Sequence, residues 1–92
     1  MTRISADHLR RIRNDIDLPE LIRFHLDLPC KNQEGYFRFL CPLCGEFNTA
    51  VNPKTNLGRC FCCKTNLNPV DLVMIVKHYS FLQTVAYLEK LL

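Results

Sequence analysis

The stretch that decides the fold is CPLCGEFNTAVNPKTNLGRCFCC, Cys41 to Cys63. It reads Cys-Pro-Leu-Cys, then fifteen residues, then Cys-Phe-Cys-Cys. A two-residue gap lets both sulfurs of one tight turn face the same ion, and two such turns close a tetrahedron. Pro42 and Gly45 flank the first turn as turn-formers. The second turn offers three thiols, Cys60, Cys62 and Cys63. Pairing Cys60 with Cys62 leaves a one-residue gap that strains the turn, whereas Cys60 with Cys63 mirrors Cys41 with Cys44. The expected ligands are therefore Cys41, Cys44, Cys60 and Cys63. They would hold one structural Zn2+, with no position left open for a substrate. Iron is the competitor, because the same four thiolates can hold it. Cys62 then reads as a small filler residue, with a functional thiol as the alternative. Cys30 reads as a half-buried residue at the approach to a strand.

Outward from the knuckles, NTAVN (48–52) and LGRCF (57–61) read as short strands around a turn, PKTN (53–56). Upstream, GYFRFL (35–40) is an aromatic-rich strand that sets Tyr36 and Arg38 on the face opposite Phe37 and Phe39. Links this short favour antiparallel pairing. Helical patterns flank the ribbon on both sides. Ser5 caps the first helix, with Ile4 and Leu9 placed as a staple and Leu9, Ile12 and Ile16 on one face. Asp17 opens a second helix, with Pro19 in its first turn and Leu18, Leu21, Ile22 and Leu26 as its stripe. Asn68, Pro69 and Asp71 open a third helix, apolar nearly all round and so central. SFLQ (80–83) opens a fourth, with Phe81, Val85, Leu88 and Leu92 expected on its inner face. The expected fold class is α+β: a small zinc ribbon of antiparallel strands with flanking helices at both ends. Residues 1–27 would supply the N-terminal helices, 28–67 the ribbon and 68–92 the C-terminal helices of one domain.

The longest apolar run, Leu72 to Val76, is far short of the ~18 residues a membrane span needs. The first residues, MTRISADHLRR, lack the apolar core of a signal peptide. A cytoplasmic location is expected, where thiols stay reduced and six cysteines point to metal before disulfides. The formal charge of +3 sits entirely in residues 28–70, where five cations face only Glu34 and Glu46. Four bound thiolates and one zinc ion lower that segment to about +1. Arg10, Arg11 and Arg13 lie among acids and read as a solvated helix face.

Several stretches together resemble the N-terminal zinc-binding domain of bacterial, DnaG-type DNA primases. DIDLPELI (15–22) is similar to that family's Asp-Ile-Val-Asp-Leu-Ile helix, and GYFRFLCPLC to its aromatic strand leading into Cys-Pro-Phe-His. CFCCKTNLNPVDLVM (60–74) is similar to its Cys-Phe-Gly-Cys-Gly knuckle followed by a helix at the same offset. FLQTVAYL (81–88) is similar to its closing Phe-Val-Glu-Thr-Val-Glu-Glu-Leu. The chain departs from the pattern at Cys44, where the family has His, and at Cys62 and Lys64, where it has Gly. The resemblance implies a zinc-bound ribbon that binds single-stranded DNA template and helps primer initiation in DNA replication. It also implies a partner: the primase polymerase domain or another replication protein.

The residues themselves offer a route to the template. Arg38, Lys54, Arg59 and Lys64 are interleaved with Tyr36, Phe37 and Phe61, as in surfaces that combine cations for phosphates with aromatic faces for bases. Phe39 reads as core, while Tyr36 and Phe61 read equally as core or as stacking surfaces. The expected nucleic-acid contacts are Tyr36, Arg38, Lys54, Arg59, Phe61 and Lys64. No catalytic site is expected within the chain. Phosphoryl transfer needs clustered carboxylates for magnesium, and the ribbon has none. His8, His25 and His78 read as ordinary helix histidines. The competing reading is a freestanding structural zinc ribbon: an accessory protein, of a mobile element for instance, that docks on a protein or nucleic acid.

Overall fold

The computed structural model describes residues 5–92, so Ile4 and its expected staple lie outside the described residues. Helix α1 spans Ala6–Asp15, with the Ser5 hydroxyl accepting from the His8 N–H. Helix α2 is a single turn, Leu18–Glu20, that widens without a break into a π-helical turn, Leu21–Leu26. Asp17 caps it by accepting from the Glu20 N–H. Five strands follow: β1 Cys30–Gln33, β2 Tyr36–Phe39, β3 Thr49–Asn52, β4 Leu57–Cys60 and β5 Thr65–Leu67. They form one antiparallel meander in the order β1-β2-β3-β4-β5. Helices α3, Pro69–Lys77, and α4, Phe81–Glu89, close the chain, each opened by a two-way capping box. The architecture is α+β, as expected.

The differences lie in the sheet's edges and in α4. The sequence suggests three strands, and the structure has five. Strand β1 pairs with β2 across Glu34 and Gly35, whose φ values of 54° and 81° are both positive, as a type I′ turn requires. Strand β5 pairs with β4 across the second knuckle. In α4 the inner face is Thr84, Val85 and Leu88, whereas Phe81 and Leu92 are 40% and 49% exposed. Phe81 stands in the first turn, just past the cap, and Leu92 lies beyond the helix end, so neither turns inward.

Pairing and pleat together sort the sheet into two faces. Phe37, Phe39, Val51 and Leu67 project to one side and join Ile12, Leu18, Ile22, Leu72, Val73 and Leu88 in a single core. Gly58 is needed there: a Cβ at this position would stand 2.9 Å from the Phe39 ring, which is fully buried and cannot yield. The other side carries Lys31, Tyr36, Arg38, Ala50, Arg59 and Asn66, and no helix covers Tyr36 or Arg59. The four turns also set where the chain's special residues go. Both four-residue links, 53–56 and 61–64, end in a left-handed residue, Asn56 at φ 54° and Lys64 at φ 57°.

Candidate metal centre and nucleic-acid interface

The first knuckle lies in the long link between β2 and β3, and the second joins β4 to β5. Pairing of Thr49 with Cys60 brings the two together at one end of the sheet. Each knuckle is a tight turn held by its own backbone. Gly45 N–H donates to the Cys41 carbonyl at 2.9 Å, Cys41 N–H to the Glu46 carbonyl at 3.0 Å, and Cys63 N–H to the Cys60 sulfur at 3.5 Å. The Sγ atoms of Cys41, Cys44, Cys60 and Cys63 all lie within 4.8 Å of one another. Cys41 to Cys63 is 3.8 Å and Cys44 to Cys60 is 3.5 Å. A tetrahedron built on Zn–S bonds of about 2.3 Å has sulfur–sulfur edges of about 3.8 Å, so the four thiols fit a zinc ion. Cys41 and Cys60 are fully buried, and Cys44 and Cys63 lie nearer solvent.

Cys62 is outside this cluster and exposed. The pair that the spacing rule selects, Cys60 and Cys63, is the one that clusters with Cys41 and Cys44, while Cys62 is exposed and does not fill space inside the turn. Its side chain leaves the turn on the solvent side. Cys30 is half-buried at the first position of β1.

The crowded sulfurs do not share protons evenly. Burial opposes ionisation of Cys60, yet hydrogen bonds from the Cys63 and Cys62 backbone and from the Cys63 and Cys44 thiols favour it and lower its pKa to about 6. A backbone hydrogen bond from Glu46 favours the Cys44 thiolate, but burial and the neighbouring Cys60, Cys41 and Cys63 thiols outweigh it and raise it to about 12. A metal entering the cluster thus displaces protons, and only its charge makes four adjacent thiolates tolerable.

Over residues 4–92 the sequence matches the CHC2 zinc finger family. The chain belongs to that family. A comparison with curated proteins returns no match. The residues that directly follow Cys44 and Cys63 both have a left-handed backbone. Gly45 meets this at φ 76° with no side chain to strain, while Lys64 adopts φ 57° with one. A non-glycine residue there costs on the order of 1 kcal/mol, partly offset by glycine's greater freedom when unfolded. Lys64→Gly should therefore stabilise the zinc-loaded CHC2 finger by roughly 0.5–1 kcal/mol. Urea denaturation would read this, and a loss of stability would show that the Lys64 side chain holds something the strain argument omits.

On the open face of the sheet, a groove of about 740 Å³ is lined by Tyr36, Arg38, Lys54, Arg59 and Phe61, with Ala50 to Pro53 as its floor. Five of the six residues expected to contact nucleic acid thus share one groove. Lys64 stands apart on the second knuckle. Tyr36 and Phe61 are 53% and 60% exposed, so neither is core, whereas Phe37 and Phe39 are. The five strands contain no acidic residue. Among the described residues the ion pairs are His8–Glu89, Arg10–Asp7 and Arg11–Asp15, all between helical residues. The sheet's cations have no carboxylate partner. Arg59 donates to the uncharged Asn66 side chain at 3.1 Å, and the buried Nε of Arg38 has no hydrogen-bond partner among the described residues. No helix among the described residues is long and apolar enough to cross a membrane.

Sequence reasoning missed Lys31. It pairs with Arg38 across β1 and β2, and its ammonium sits 4.9 Å from the centre of the Phe47 ring. The signal was present in Glu34-Gly35, a dipeptide that can turn a hairpin, but Cys30-Lys31-Asn32-Gln33 has none of the apolar alternation that marks a strand.

Proposed function

We propose that this chain is the template-binding module of a DnaG-type DNA primase. It lays single-stranded DNA on the open face of a zinc-ordered sheet and helps position it for primer initiation by a polymerase domain, in the same chain or another. The observation that carries this reading is the groove itself. Arg38 and Arg59, neither with a carboxylate partner among the described residues, and the exposed rings of Tyr36 and Phe61 surround it, beside strands without a single acid. Cations without a carboxylate partner suit phosphates, and exposed rings suit bases, at about 1–3 kcal/mol per stacked base. Among the described residues no acid lines the groove, and its proposed role is binding of the template rather than chemistry on the nucleotide.

Few phosphates can be neutralised by so few cations. Fluorescence anisotropy with labelled oligothymidylate should give weak binding and a shallow salt dependence, equivalent to roughly two to four phosphate contacts. Arg38→Ala and Lys54→Ala should each weaken binding with little regard to base sequence. If Arg10, Arg11 and Arg13 variants weaken it more, the wrong face has been chosen. If no single-stranded DNA binds at all, the freestanding zinc ribbon that docks on a protein becomes the better reading.

A further inference from the structure

The register of the sheet assigns the groove a direction. Lys31 pairs with Arg38, Arg38 with Ala50, Ala50 with Arg59, and Arg59 with Asn66. Directly paired residues of an antiparallel sheet project to the same face. The five positions therefore form one straight row across all five strands, at right angles to them. Three are cations, one is an amide, and the central one is the smallest side chain of the row. At about 4.8 Å per strand the row is about 19 Å long.

We propose that the single strand crosses the sheet along this row, from Lys31 on the β1 edge to Asn66 on the β5 edge, with Ala50 as the low point over which a base is seated. This rests on the reading of the groove as a template site. It adds a path, a site length and two residues that the groove alone does not include, Lys31 and Asn66. Three observations support it. Arg38 and Arg59 stand on either side of Ala50, so a chain running across the strands meets both, whereas one running along β3 would pass between them. Lys31 continues the same line one strand further out, is exposed, and is held against the Phe47 ring rather than a carboxylate. Phe47 thus offers a ring beside the outermost cation, as Phe61 does beside Arg59 in the groove. Lys64, by contrast, is on the knuckle turn beyond the end of β4 and lies off the row.

The test is a salt titration of oligothymidylate binding to the zinc-loaded chain and four variants. Lys31→Ala should lower the slope by roughly 0.7, the value of one lost single-strand phosphate contact. Lys64→Ala should leave it unchanged. Ala50→Val should weaken binding several-fold while keeping the melting temperature, because a β-branched residue suits a strand and merely raises the floor. Arg38→Ala is the control for the groove. If Arg38→Ala lowers the slope but Lys31→Ala does not, the strand never reaches β1 and the transverse path is wrong while the template site stands. A lowered slope in Lys64→Ala with none in Lys31→Ala would turn the path along β4 toward the knuckle and overturn the proposal. Wild-type binding by Ala50→Val would remove the seat over β3. No effect from Arg38→Ala would reject the template site itself.

Discussion

Chelating the metal from this chain should melt the sheet while sparing part of the helical signal. The strands are only three or four residues long. The link between β2 and β3 is long and irregular, and beyond the Phe61 N–H bond to the Asn48 carbonyl and the Thr49–Cys60 pairing its knuckle meets the other one through sulfur. Without zinc, the buried Cys41 and Cys60 sit among thiols that partly repel once ionised, and one end of the sheet loses its strongest tie. Structural zinc contributes about 10–16 kcal/mol in small fingers, against the roughly 5–15 kcal/mol of a whole domain's stability. Removal can therefore tip the balance. Helices α1, α3 and α4 keep their own caps and should survive in part. Far-UV circular dichroism should lose its strand component on chelation and recover it with added zinc. Cys60→Ser and Cys63→Ser should reproduce the loss, and Cys62→Ser should keep one zinc per chain with a near-normal melting temperature. Acid should strip the metal too, since each ligand must shed its proton to bind, so affinity falls as pH falls. A chelated protein with an unchanged melting curve would mean that the apolar core alone holds the ribbon. Zinc lost from Cys62→Ser but kept by Cys63→Ser would mean that the wrong thiol has been counted.

The parts of this fold legible in the sequence are those fixed by local chemistry. Two knuckles at matching spacing give the metal centre, and Asn68 with Asp71 and Ser80 with Gln83 give the starts of α3 and α4 to the residue. The alternation in Tyr36–Phe39 correctly separates the groove residues from the core. What was not legible depends on partners. Strand β1 is polar and mostly exposed, and it is a strand only because β2 lies beside it. Strand β5 is three residues long and is aligned by the knuckle before it. The π-helical turn keeps Leu21, Ile22 and Leu26 inside, as the stripe suggests, but nothing in those residues announces the wider winding. Phe81 and Leu92 fit an apolar helical pattern, yet they sit at the margins of α4 where packing covers them only in part.

Asn56 is the clearest case of a role invisible in sequence, and its replacement should cost as much as truncating a core side chain. It reads as the last residue of a turn, and it is one, with its N–H donating to the Asn52 carbonyl at 2.8 Å. Its side chain does more. Nδ2 donates to the carbonyls of Arg13 at 2.7 Å and Ile16 at 2.6 Å, and Oδ1 accepts from the Leu18 N–H at 2.9 Å. Those groups are the ends of two helices, carbonyls at the close of α1 and an N–H at the opening of α2, which helices leave without internal partners. One amide therefore caps both helices and fastens the β3–β4 turn, which carries Lys54 into the groove, to the helical layer. Asn56→Ala removes all three bonds, at about 1 kcal/mol each and more where the group left behind is buried. It also places alanine at φ 54°, which costs a further 1–2 kcal/mol or so. The expected loss is about 3–5 kcal/mol by urea denaturation of the zinc-loaded protein. Asn56→Gly, which loses the bonds but relieves the backbone, should fall between wild type and alanine by roughly 1 kcal/mol. Asn56→Asp keeps the acceptor for Leu18 but turns a carboxylate on two carbonyls, and should also be destabilised. A loss below about 1 kcal/mol in Asn56→Ala would show that solvent replaces the amide at both helix ends. Equal losses in the alanine and glycine variants would show that the left-handed backbone carries none of the cost.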